Sequence, residues 1–186
     1  MHGFPLHTLD TAPAEARPLL AGIVKRFGFL PNVYAHLAES PVALEALLQL
    51  SAMFERTTLS APQRHLLLLT SSVENRCTFC VAAHTRGARA AGVAADSIES
   101  IRDGALPQRA DDAALVRFVR AVIVGRGFVS SGELDSFYAH GFTPQQVLEV
   151  VLGVTLKILT NYANHVTGTE LNPELAAFAW AAPRAA

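Results

Sequence analysis

The sequence is poor in cysteine, in charge and in long apolar runs. Only two cysteines occur in 186 residues, and charged side chains make up 17% of the chain with a net charge of −1. That balance offers no basic surface for nucleic acid or for an anionic membrane. No uninterrupted apolar run approaches the roughly eighteen residues of a membrane span. The first thirteen residues lack the basic start and apolar core of a secretory signal. Glycine-rich phosphate loops, strand-like alternation, low-complexity tracts and internal repeats are absent as well. These absences leave an all-α, cytoplasmic protein with no nucleic-acid and no membrane partner as the expectation. In that setting a lone CxxC points to chemistry rather than to a structural staple.

What the chain has in quantity is apolar residues, 51% of the total, at a mean hydropathy of +0.28. Its length suits one domain, 1–186, with a sizeable core. Such richness on a chain of few charges implies that surface is also buried against copies of itself, so a homo-oligomer is expected.

Residues 1–18 hold three prolines and no clear period, and read as an extended arm. A first helix is expected over Ala14 to Phe27, ending near Gly28. Pro31 and Pro41 suit helix starts, where a missing N–H costs nothing. From Pro41, Leu44, Leu47, Leu48 and Phe54 follow helical spacing. Ser60-Ala61-Pro62-Gln63 resembles a capping box opening the helix that carries His65 to Val73. Short helices are expected over Ile98 to Asp103 and over Ser131 to Ala139, the latter capped by Ser130 or Ser131 with Glu133 in its first turn. Between them, Asp111 to Val124 places Leu115, Val116, Val119, Val122 and Ile123 on one face, with Arg117 and Arg120 solvated. Thr143-Pro144-Gln145-Gln146 opens a long helix reaching His165, whose only charges are Glu149 and Lys157. A helix so apolar belongs in the middle of the core or in an oligomer interface. Its polar end, Asn161 to His165, reads either as helix capping or as placing Asn161 or His165 near the cysteines. The tail from Thr169 to Ala186, with Trp180, is expected to pack on a neighbour or to fray.

Chemistry concentrates in one stretch, Glu74 to His84. Cys77 and Cys80 lie three apart, His84 follows by four, and Glu74 precedes Cys77 by three. On one helix these positions share a face, which brings two thiols within disulfide reach beside a base. A helix N-terminus favours the thiolate, the only nucleophilic form. Glu74 is placed to orient His84 or to pass protons to it. Three plainer readings compete: a zinc site with His65 or His165 as fourth ligand, inert core cysteines, and a structural His84. A single CxxC is weak support for structural zinc, and the dithiol redox centre leads.

ENRCTFCVAAHT resembles the CxxCxxxH signature of the AhpD-like alkylhydroperoxidases within the carboxymuconolactone decarboxylase family. FGFLPNVYAHLAESPVALEALLQL and LSAPQRHLLLLTSS resemble the family's lead-in, and GFTPQQVLEVVLGVTLKILTNYANH resembles the closing helix of one branch. Together they span roughly residues 27 to 180. The resemblance implies an AhpD-like helical domain and a CxxC-dependent peroxidase. Cys80 would attack the hydroperoxide, Cys77 would resolve the product as a disulfide, and His84 would take the proton through a glutamate. In the best-known branch that glutamate lies twelve residues before the first cysteine, where this chain has His65. Glu74 matches a branch reading ENxCxxC, so Glu74 is the expected relay carboxylate, with His65 or His165 as further members.

No metal or organic cofactor is implied. The expected partners are a hydroperoxide, a dithiol reductant (small molecule or protein adaptor) and further copies of the chain, as dimer, trimer or hexamer. The founding decarboxylase branch works without this cysteine pair, so lactone decarboxylation is not expected. Two rivals stand beside the peroxidase: a thiol–disulfide oxidoreductase acting on proteins, and a non-catalytic, redox-responsive helical oligomer.

Overall fold

The computed structural model describes residues 3–182. Met1 and His2 of the expected arm and the last four residues of the tail lie outside that range. Among the described residues the chain forms helices α1 (Arg17–Phe27), α2 (Asn32–Leu37), α3 (Pro41–Phe54), α4 (Ala61–Glu74), α5 (Thr78–Ala90), α6 (Ala95–Arg102), α7 (Ala110–Val124), α8 (Ser131–Ala139) and α9 (Pro144–Thr167). A 3₁₀ segment, Pro173–Phe178, follows. No strand occurs among them, as the sequence pattern requires.

Local chemistry sets the helix boundaries. Ser60 with Gln63, Ser130 with Glu133 and Thr143 with Gln146 form reciprocal capping boxes at the starts of α4, α8 and α9, each satisfying backbone donors that the first turn leaves free. Prolines occupy first-turn positions of α3, α4 and α9. Helix α1 stops where Gly28 turns left-handed (φ 79°), and its N–H closes on the Val24 carbonyl.

The long α9 is not the centre of the molecule. That place falls to α4, which packs against α5, α6, α7 and α9 at once. Every residue from Leu66 to Val73 is buried, so α4 has no solvent face along two turns. Two of its three buried hydroxyls avoid a desolvation cost by turning back on the helix, while Thr70 Oγ1 finds no partner. Ser71 Oγ donates to the Leu67 carbonyl at 2.9 Å and Ser72 Oγ to the Leu68 carbonyl at 2.7 Å. Helix α9 crosses α4 closely at Gly153, where a Cβ would sit 2.6 Å from Leu67 Cδ2 and 2.7 Å from Phe54 Cε2. One face of α9 is thereby buried, while Leu148, Val151, Ile158, Tyr162 and Val166 stay exposed on the other.

Two further expectations are corrected. Arg120 is not solvated: its Nε donates to Glu74 Oε1 at 2.7 Å and its Nη2 to the Ala105 carbonyl at 3.2 Å. The tail packs on its own chain. Trp180 Nε1 donates to the Arg102 carbonyl at 2.9 Å, and the 3₁₀ segment lies against α5. The arm is pinned as well, because Ala12 and Ala16 are buried with Leu20, Ile23 and Leu44, and His7 Nε2 lies 2.7 Å from Glu39. No helix among the described residues is long and apolar enough to cross a membrane.

Candidate active site

The α4–α5 hairpin builds the site. Helix α4 ends at Asn75, Arg76 takes a left-handed turn (φ 55°), and Cys77 caps α5 in extended geometry. Cys77 therefore lies just outside the helix and Cys80 in its first turn, next to free backbone N–H groups. Both thiols are reduced and almost wholly buried.

Helix α9 supplies what surrounds them. Asn164 Nδ2 lies 3.2 Å from Cys80 Sγ and 3.5 Å from Cys77 Sγ, donating toward both. Asn75 Nδ2 donates to Asn161 Oδ1 at 3.0 Å, which ties the helix bearing the asparagines to the hairpin bearing the thiols. Lys157, buried at 2% exposure, donates from Nζ to Thr160 Oγ1 at 3.0 Å and stands 2.8 Å from His84 Nε2. Lys157, Asn161 and Asn164 share one face of α9 by their four- and three-residue spacing.

This arrangement separates the two thiols electrostatically. A hydrogen bond from the Cys77 thiol holds Cys80 below the usual thiol range, and the Lys157 ammonium and Asn161 add to it against the opposing effect of burial. Cys77 is pushed up, first by its bond to Cys80 and then by burial. Cys80 is thus the thiolate and Cys77 the proton-bearing partner. Burial, then Lys157, then His65, hold His84 well below its ordinary 6.5, so the imidazole is neutral and accepts from Lys157. His65 is lowered too, by burial and by Arg64. Its ring packs on Gly87 of α5, where a Cβ would lie 2.6 Å from His65 Cε1.

A cavity of about 380 Å³ reaches the site. Phe29, Val33, Tyr34, Phe54, Phe79 and Leu175 form much of its apolar wall, and Cys80, His84, His65 and Lys157 all line it. Cys77 does not. A larger and more open depression, about 560 Å³, lies between α7 and α8 and carries neither cysteine nor histidine.

Of the residues singled out in the sequence, Cys77, Cys80, His84 and His65 converge. Glu74 and His165 do not. Glu74 is engaged by Arg120 of α7, away from His84. His165 is exposed on the outer face of α9, stacked near Tyr162 at 6.4 Å between ring centroids. No group of three or more His, Cys, Asp or Glu among the described residues stands together to hold a metal ion, so the zinc reading lacks a ligand set there. Sequence reasoning missed Lys157 and Asn164. The available signal was a lone lysine in an apolar helix, sharing a face with two asparagines.

The fold and the site define a class: an all-helical domain whose central hairpin holds a buried dithiol at the end of an apolar cavity. Residues 41–124 match the carboxymuconolactone decarboxylase family. No curated protein matches significantly. Among solved structures, the alkylhydroperoxidase AhpD core of an uncharacterized peroxidase-related protein from Ralstonia eutropha JMP134 is 22% identical with a TM-score of 0.81, covering 94% of this chain and 96% of the other. A peroxidase-related protein from Silicibacter sp. TM1040 is 18% identical with a TM-score of 0.79, at 92% and 91% coverage. The debrominase Bmp8, as its C82A variant in complex with 2,3,4-tribromopyrrole, is 14% identical with a TM-score of 0.77, at 96% and 95% coverage. The fold is AhpD-like, and the resemblance carried by the CxxCxxxH motif is borne out.

Proposed function

We propose that the protein is a CxxC-dependent alkylhydroperoxidase. The observation that carries this reading is that Cys80 lines the cavity while Cys77 lies behind it. The Cys80 thiolate attacks the terminal oxygen of R–O–O–H, forming Cys80–S–OH and breaking the O–O bond. The alkoxide RO⁻ leaves and takes a proton at the Lys157–His84 pair, giving ROH. Cys77 sulfur then displaces hydroxide from the sulfenic acid. With the Cys77 proton this becomes water, and a Cys77–Cys80 disulfide forms. An external dithiol returns both thiols by exchange. Protein substrates are disfavoured, because both sulfurs are buried and only Cys80 lines the cavity.

The test is a thiol count with and without one equivalent of an organic hydroperoxide. Two thiols lost in the wild type, a trapped sulfenic acid in Cys77→Ser and none in Cys80→Ser are the expected results. Unchanged thiols in all three would sink the reading. The aromatic wall supports one second reading, reduction of a halogenated aromatic ring. There the two thiols would supply two electrons, turning C–Br into C–H with release of bromide and a proton and formation of the disulfide. Bromide release from a bromopyrrole without hydroperoxide turnover would select it.

The homo-oligomer reading gains support from α9. Its outward side chains Leu148, Val151, Thr155, Ile158, Tyr162 and Val166 recur at intervals of three or four, the spacing of a helix that packs along a second helix. Val151→Glu should lower the sedimentation coefficient if copies meet there. An unchanged value would exclude this face.

A further inference from the structure

The charges of the cavity do not balance. Arg26, Arg64, Arg86 and Lys157 line it, against a single carboxylate, Glu55. Glu55 is paired with Arg26. Arg64 donates to the Leu59 carbonyl, and Lys157 is committed to Thr160 and His84. Arg86 is different. It is exposed, its guanidinium lies 6.0 Å from the centroid of Phe29, and no carboxylate among the described residues pairs with it. It therefore presents a cation at the cavity wall with its planar donor fork uncommitted, the geometry that takes a carboxylate by two parallel bonds.

Position gives the substrate a length. Arg86 follows Cys80 by six residues on α5, a rise of about 9 Å along the helix. The wall they share also carries Phe29, Val33, Phe79, Ala83 and Leu175. A molecule bound at both ends would carry its reacting group at Cys80, an apolar segment of comparable length, and an anion at Arg86.

We propose that the cavity selects hydroperoxides of long-chain carboxylic acids, with the carboxylate held by Arg86 and the chain lying along the Phe29 side of the wall. This rests on the peroxidase reading. The reaction is the one balanced above, and its product is the corresponding hydroxy acid. Selection comes from charge at one end and apolar burial between, so neither a short hydroperoxide nor an esterified one satisfies both.

The probes are linoleic acid hydroperoxide and its methyl ester, below their micellar concentrations, in single turnovers followed by thiol loss. The wild type should react with the acid about tenfold faster than with the ester at low salt, and the ratio should shrink in about 0.5 M NaCl as the charge is screened. Arg86→Gln should bring the ratio close to one, whereas Arg117→Gln, an exposed change on α7, should retain it. Equal rates for acid and ester in the wild type, or a ratio that survives Arg86→Gln, would overturn the proposal. Cumene hydroperoxide, which has no carboxylate, reports on the peroxidase reading by itself. Should that reading fail, protection of Cys80 from iodoacetamide by the hydroxy acid and by its methyl ester still decides the question. Stronger protection by the acid in the wild type, lost in Arg86→Gln, supports the site, and equal protection by the two refutes it.

Discussion

Lys157 Nζ stands 2.8 Å from His84 Nε2, joining residues 73 apart in sequence at the buried end of the cavity. A cation in contact with a neutral imidazole and beside a thiolate serves two ends. It lowers the energy of the Cys80 anion, and it offers a proton where an alkoxide would leave.

Lys157→Met keeps the length and most of the volume of the side chain while removing the charge. The pH at which Cys80 is half-alkylated by iodoacetamide should move to higher values, and reactivity at neutral pH should fall about tenfold or more. Stability to urea should hold or rise, since a buried ammonium is replaced by an apolar group. An unshifted alkylation profile would show that the hydrogen bonds from Cys77 and the asparagines set the thiolate without Lys157.

Asn164 donates toward both sulfurs, so Asn164→Asp turns a donor into a second anion beside the thiolate. Cys80 should become harder to ionise, and the alkylation profile should again move to higher pH. Asn164→Ala should move it less, because it removes a donor without adding charge. The order of the two variants is what the measurement checks.

Gly87→Ala places a Cβ 2.6 Å from His65 Cε1 and 2.8 Å from Nδ1. The ring is rigid, so the α4–α5 contact must open. A loss of about 1–3 kcal/mol in the urea-unfolding free energy is expected. The double change with His65→Ala should recover part of it, since the obstructing ring is gone.

His84 and His65 are both held below their ordinary 6.5 in the folded state. The unfolded chain binds their protons first as pH falls. Their contribution to stability is therefore complete above about pH 6.5 and declines below it, toward the folded-state values. Urea midpoints should drop between pH 7.5 and pH 5, and the drop should be smaller in His84→Gln. A flat profile in the wild type would contradict the burial of these rings as neutral groups.

Glu74 pairs with Arg120 at 2.7 Å, so it holds the end of α4, and with it the CxxC turn, against α7. Glu74→Gln should lower stability modestly, by about 1 kcal/mol for a partly buried pair, and leave the pH dependence of Cys80 alkylation in place. A shifted profile would restore the proton-relay role read from its spacing.

The helical boundaries were legible because they are local events. Ser60, Ser130 and Thr143 each find their capping partner three residues on, and Gly28 ends α1 where it was expected to. The CxxC and His84 were legible for the same reason, lying within eight residues of one another. Lys157 and Asn164 were not. Their partners are 73 to 87 residues away, and periodicity within α9 identifies a shared face without saying what it meets. The same distance misled the reading of Glu74, whose nearest chemical partner in sequence is His84 but whose partner in space is Arg120.

The sequence alone determined an all-α chain, the starts and stops of most helices, and a dithiol at the beginning of one of them, because capping, proline placement and helical spacing act over a single turn. Tertiary structure decided which helix is central, which thiol faces the cavity and which cation sits beside it. Those outcomes depend on how α4, α5 and α9 pack, and close approach at Gly153 and Gly87 fixes that packing in three dimensions rather than along the chain.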